Sequence, residues 1–148
     1  MMSTTVQDIS RQLVVFSLGE QEYALPITRV QEIIRYEEPT GVASHTLWIR
    51  GVISLRGKIV PVCDLGLRLG VSSEPVRDAK IVIVETEGGT AGVIVDEVEE
   101  VLTVEREQVE SAPAADSEFI EAIAKVDERL IIMLHPDGLF AGMEFTDR

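Results

Sequence analysis

The sequence predicts a mostly β protein built from two related halves, each a small, partly open barrel, packed together with only short helical segments. Three observations predict it. Apolar runs of strand length recur along the 148 residues, separated by turn-forming residues. Residues 13–34 lie on residues 81–102 without a gap, and residues 49–63 lie on 120–134, also without a gap. Two ungapped matches in the same order point to duplication, and each half has too few strands to bury its own surfaces.

The elements follow in order. LVVFSL (13–18) reads as a strand, GEQE as a turn and YALPI as a second strand. From Pro26 the spacing of Ile27, Val30 and Ile34 by three and four predicts one or two helical turns, with Thr28, Arg29, Gln31 and Glu32 turned largely away from that stripe. Pro39 and Gly41 mark a loop. Ile49–Leu55 alternates as a strand, Arg56-Gly57 forms a tight turn, and Lys58–Cys63 returns as the partner of a hairpin. Pro61 cannot donate to a ladder, so its nitrogen should face an edge, a bulge or a crossing. Asp64 is placed to cap a short helix LGLRL, and Gly70 to stop it. Residues 72–78 are a polar connector.

The plan then repeats. Leu13, Val14, Val15 and Phe16 meet Ile81, Val82, Ile83 and Val84; Val30 meets Val98; Ile33 and Ile34 meet Val101 and Leu102. In the second match Ile49, Val52, Leu55, Ile59 and Val60 meet Ile120, Ile123, Val126, Leu130 and Ile131, and Gly51 meets Ala122. Residues 104–118, polar with Pro113, break the symmetry and read as a loop with one helical turn.

Composition narrows the function. Apolar residues make up 45% of the chain, ordinary globular usage, and there is one cysteine, Cys63, in an apolar strand pattern suited to a buried thiol. Neither a basic-then-apolar leader nor a bilayer-length apolar run is present, which predicts a cytoplasmic protein with no direct membrane insertion. The net charge of −13 argues against nucleic acid as a partner. That charge is local: residues 85–121 hold twelve acids against Arg106 alone, whereas Ile49–Lys58 carries Arg50, Arg56 and Lys58 with no acid. Such polarisation can orient a protein partner, or it can simply be a solvated face.

Catalytic signals are weak. The chain has neither a phosphate loop nor a dinucleotide fingerprint, and its two histidines, His45 and His135, have no partner at zinc spacing. The paired acids Asp96-Glu97 and Glu99-Glu100 lack EF-hand spacing, and a run of exposed acids stays ionised instead of dividing into acid and base. No GxSxG elbow occurs. The expectation is a non-enzymatic protein with no cofactor and no metal.

VFSLGEQEYALPITRVQEI, IRGVISLRGKIVPVCDL and AGVIVDEVEEVL together make the chain resemble the CheW family of bacterial chemotaxis coupling proteins, from about Leu13 to Leu139. The resemblance implies two interlocked five-stranded SH3-like β-barrels within residues 13–140, a flexible segment at 1–12 and a short tail at 141–148. It implies a scaffold linking the cytoplasmic tips of methyl-accepting chemoreceptors to the histidine kinase CheA. The kinase's regulatory domain, of the same fold, would meet a barrel end, with ring-forming contacts to it or to further copies. Localisation would be at membrane-proximal receptor arrays, reached through protein contacts.

By motif, the resemblance implies roles in receptor or kinase coupling for Val30, Glu32, Gly51, Arg56 and Gly92. Each also has a plainer reading. Val30 suits core packing, Glu32 a solvated acid, and Gly51 and Gly92 a close backbone approach. The planar fork of Arg56 suits either a partner's carboxylate or its own loop. Ser54 replaces the asparagine usual before L-R-G, and His135-Pro136 replaces a more ordinary exit from the last strand. Two alternatives stand beside the coupling role: a module of another chemosensory pathway, or a small-ligand or divalent-ion sensor using the acidic second half.

Overall fold

The computed structural model describes residues 10–41, 48–70, 76–111 and 118–141; His45, Pro75, Pro113 and both termini lie outside them. The first half gives strands β1 (Ser10–Leu18), β2 (Gln21–Pro26), β3 (Val30–Arg35), β4 (Ile49–Leu55) and β5 (Lys58–Asp64), then helix α1 (Leu65–Leu69). The second gives β6 (Lys80–Thr86), β7 (Gly89–Val95), β8 (Glu97–Glu105), β9 (Val109–Ser111), β10 (Ile120–Val126) and β11 (Arg129–Leu134), then α2 (Pro136–Leu139).

The halves exchange hairpins. One sheet runs β3-β6-β7-β5-β4 and the other β8-β1-β2-β11-β10-β9. The β1–β2 hairpin of the first half thus sits between β8 and β11 of the second, and β6–β7 of the second sits between β3 and β5 of the first. The seams are the parallel pairs β2–β11 and β5–β7; the other pairings in both sheets are antiparallel. Barrel-like sheets formed this way leave fewer free edges than either half would alone.

Three apolar clusters fill the interior. Leu13, Val15, Ala24, Val104, Ala124, Ile131 and Met133 pack inside the β1-containing barrel. Ile53, Val60, Val62, Ile81, Ile83 and Ile94 pack inside the other, hereafter the first barrel. The largest cluster, with Phe16, Leu25, Cys63, Leu65, Val82, Val93, Leu134 and Leu139, draws on both sheets and joins the barrels. Alternation along each strand sends one set of side chains inward and the other to this shared core, so strands such as β6 are buried on both faces.

The duplication extends to irregularities. Register slips between Ile49 and Gly51 in β4 and between Ile120 and Ala122 in β10, which are equivalent positions. Arg56 and Asp127, also equivalent, both have positive φ, 51° and 58°. Asp64 caps α1 by accepting from the Leu67 N–H at 3.1 Å, and Gly70 ends it in a left-handed conformation. Pro61 pairs with Val52, whose N–H and carbonyl turn outward to Thr40. The Pro61 nitrogen therefore points away from β4, just before the β5–β7 ladder begins at Val62.

Two sequence expectations need correction. Only Ile27–Arg29 is helical, as a single 3-10 turn, and Val30–Arg35 is a strand. The register of β3 on β6 slips between Val30 and Glu32. That bulge turns Val30 to the shared core and Ile34 into the first barrel, so a strand with a slipped phase imitates helical spacing. Residues 104–111 are likewise more ordered than a loop: β8 continues to Glu105, Arg106–Gln108 form one 3-10 turn, and β9 adds a short edge strand to the six-stranded sheet.

Candidate functional site: a clamped barrel end

Arg56 and Gly57 are the two residues between β4 and β5, and both have positive φ, 51° and 82°. A two-residue hairpin with both residues left-handed matches the strand twist, but it costs a non-glycine residue backbone strain. Arg56 accepts that geometry at a turn that projects its side chain, 70% exposed, over β3. Its Nη2 donates to Glu32 Oε1 at 3.0 Å and its Nη1 to Glu32 Oε2, a fork-on-carboxylate pair. The hydrogen bond from Arg56 holds the Glu32 carboxyl below its ordinary range, and the reciprocal bond raises Arg56 further. Two residues 24 apart in sequence thus close the end of the first barrel. Ile59, 60% exposed, stands beside this clamp on β5.

The other three expected residues occupy different surroundings. Val30 is half-buried against the shared core. Gly51 lies where β4 meets the segment through Thr40: a Cβ there would stand 2.2 Å from the Thr40 carbonyl oxygen, and its φ of 152° already disfavours a side chain. Gly92 faces the inside of the first barrel, where a Cβ would come within 2.8 Å of Ile81 Cγ2. Close packing, the plainer reading of both glycines, is present in the structure. All five residues nevertheless belong to the five-stranded sheet and its turns, Gly92 arriving there through the exchanged hairpin.

The second barrel repeats the clamp with different residues. Arg129, at the start of β11, donates from Nε to Glu22 Oε1 at 3.0 Å, and from Nη2 to Glu22 Oε2 at 3.1 Å and to Glu100 Oε2 at 2.8 Å. These bonds raise Arg129 above its ordinary value. Glu100 is the repeat equivalent of Glu32, and Leu130, 57% exposed, is the equivalent of Ile59. Sequence reading missed this clamp, although the offset that maps residues 13–34 on 81–102 carries its signal. The two ends differ in charge: Arg56 and Lys58 stand with Glu32 at the first, whereas Glu22, Glu100, Asp127 and Glu128 stand with Arg129 at the second. Arg50 lies at the other end of β4, bonded to Asp64 at 2.9 Å.

An open groove of about 790 Å³ runs along the seam between halves, lined by Arg11, Arg29, Thr103, Glu121 and His135 among others. Its charged groups are tied to one another. Arg11 bonds Glu121 at 2.9 Å, and Arg29 bonds Asp137 at 2.5 Å. Partial burial pushes the Asp137 carboxyl up, but hydrogen bonds from Arg29 and the Glu87 N–H outweigh it and hold it below the ordinary range. Among the described residues no three His, Cys, Asp or Glu side chains gather in a metal-holding group, and no helix is long and apolar enough to cross a membrane.

Comparison with known proteins agrees with this architecture. A family profile described as the CheW-like domain matches residues 12–144. The chain is 37% identical to the chemotaxis protein CheW of Bacillus subtilis over 86% of its length and 85% of that protein. It is 31% identical to CheW of Klebsiella aerogenes over 95% and 87%. A shorter match, 32% identical over 56% of this chain and 47% of the other, is to the protein PilI of Pseudomonas aeruginosa. The crystal structure of the scaffolding protein TtCheW from Thermoanaerobacter tengcongensis superposes with a TM-score of 0.86 at 38% identity, covering 95% of this chain and all of that one. The exchanged hairpins, the twin barrels and these matches make the chain a member of the CheW family.

Proposed function

We propose that this chain couples chemoreceptors to the histidine kinase CheA by holding both, receptor tips along the groove between the barrels and the kinase regulatory domain against a barrel end. Its role is positional. A receptor change biases the kinase only if the scaffold's contacts differ between the two states. The carrying observation is the Arg56–Glu32 clamp, which joins two of the five residues implied by family resemblance at an exposed turn. Val30 and Ile33 supply apolar surface on the adjoining strand. Gly51 and Gly92 act by keeping that barrel closed, and ring-forming contacts would use the oppositely charged ends. The protein works without a catalytic step, in the cytoplasm at receptor arrays.

The test uses purified full-length chain with a receptor cytoplasmic fragment and, separately, the kinase regulatory domain. Both should bind; failure of folded protein to bind either one defeats the proposal. Arg56→Ala should abolish most receptor-dependent kinase control in a reconstituted assay while leaving the circular dichroism spectrum unchanged. The exchange Glu32→Arg with Arg56→Glu rebuilds the pair and should recover part of the control. Normal control in Arg56→Ala would show that the clamp has no coupling role.

Similarity to PilI favours one second reading, a coupling module of a different chemosensory pathway. Gene neighbourhood and capture of the cognate kinase separate the two. The acids of β8 lend no comparable support to an ion sensor, since Glu100 is engaged by Arg129.

A further inference from the structure

Arg68 projects from α1 between two aromatic rings, its Cζ 4.8 Å from the centroid of Trp48 and 4.9 Å from that of Phe119. The rings come from different halves and are repeat equivalents, each immediately before the central hairpin segment of its half. Each accepts one bond of the same kind: Asp64 N–H reaches the Trp48 carbonyl at 2.7 Å, and His135 N–H the Phe119 carbonyl at 2.9 Å. Arg68 is itself equivalent to Leu139, and its Nε donates to the Leu139 carbonyl at 3.1 Å. A residue that touches its own equivalent lies at the axis relating the halves. The Arg68 side chain is only 17% exposed, with Glu118 at 3.9 Å from its Nη2.

Apolar burial between the barrels is non-directional and tolerates small rolls of one barrel on the other. A planar cation between two ring faces, bonded also to a carbonyl, is satisfied at one relative orientation only. Trp48 and Phe119 pack on the shared core, and Leu139, which accepts from Arg68, ends the short helix α2 whose first residue, Pro136, lines the groove.

We propose that Arg68 is a positioning residue, a clasp at the axis between the barrels that fixes their mutual orientation and, through α2, the shape of the groove that receives the receptor. The inference rests on the receptor-groove reading above. Full-length Arg68→Met, which keeps the length but loses the cation and the donors, is compared with Arg68→Lys, which keeps the cation and loses the fork. Trp48 is the single tryptophan, so acrylamide quenching reports on the clasp without a label. Arg68→Met should melt cooperatively, show stronger quenching, and bind the receptor fragment about tenfold more weakly, while affinity for the kinase regulatory domain changes less than about twofold. Arg68→Lys should fall between, and it carries the comparison if the methionine variant does not fold. Unchanged receptor affinity in the folded variant overturns the proposal, as does an equal loss for both partners accompanied by a lowered melting temperature. If the unaltered chain fails to bind the receptor fragment, the groove reading fails, and unchanged Trp48 quenching in the variant then overturns the clasp separately.

Discussion

Replacing Gly51 by alanine should unfold the protein more readily without touching any partner surface. The added Cβ would lie 2.2 Å from the Thr40 carbonyl oxygen and 2.7 Å from its carbon, both backbone atoms that cannot rotate aside. Relief requires Thr40 to withdraw, which breaks its two bonds with Val52, at 2.8 and 2.9 Å. Two net hydrogen bonds are worth about 1–3 kcal/mol together. Holding alanine at a φ of 152° adds about 1–3 kcal/mol of strain. The expected loss is therefore about 2–6 kcal/mol, or a melting temperature lower by about 6–20 °C in a domain of this size. Gly92→Ala should cost less, about 1–3 kcal/mol of overpacking, because its nearest contact at 2.8 Å is the side-chain Cγ2 of buried Ile81, and neither a backbone clash nor a positive φ adds to it. Urea unfolding measures both, with an unchanged slope and a lower midpoint expected. A Gly51→Ala protein that unfolds at the unaltered urea concentration yet loses coupling would refute the steric argument and make Gly51 a contact residue.

Two further outcomes follow from the electrostatics. Asp137 has a folded-state pKa below its ordinary value, so its contribution to stability is complete above about pH 4 and is lost as pH falls through the lowered value; Glu32 shifts in the same direction. Carboxyl NMR titration should show Asp137 ionised into unusually acid solution and returning toward the ordinary value in Arg29→Met, whereas ordinary titration of the unaltered chain would mean that the Arg29 pair does not form. Burial pushes the Cys63 thiol far up, with Asp64 adding to the shift. An aromatic disulfide reagent should therefore leave native protein unmodified and react once per chain in denaturant, and rapid native labelling would contradict the packing.

The hairpins, the Arg56-Gly57 turn and the capped α1 were legible because each is fixed by neighbours a few residues away. Repeat offsets even carried the bulges, since Gly51 and Ala122 fall at the same slip. The strand β3 was not legible as a strand: a bulge between Val30 and Glu32 shifts its phase, and periodicity alone reads the result as helix. Nor was the hairpin exchange visible. Alternation tells which face of a strand is buried but not which distant strand it pairs with, and Val14 finds both Leu25 nearby and Val101 far along the chain. For the site, Arg56 was identifiable by motif and turn chemistry, whereas its carboxylate partner depended on how the barrel closes. Arg129 escaped because its repeat equivalent is Lys58 and not Arg56: the repeat offset points to Glu100, but not to the arginine that meets it together with Glu22.

The exchanged hairpins carry a mechanical consequence. Each half trades a hairpin with the other as two copies do in a domain-swapped dimer, here within one chain. Pulling either barrel open therefore strips two strands from the other. A truncated half should be unfolded or should dimerise, and proteolysis at the inter-half connector should leave two fragments that remain associated until both denature together.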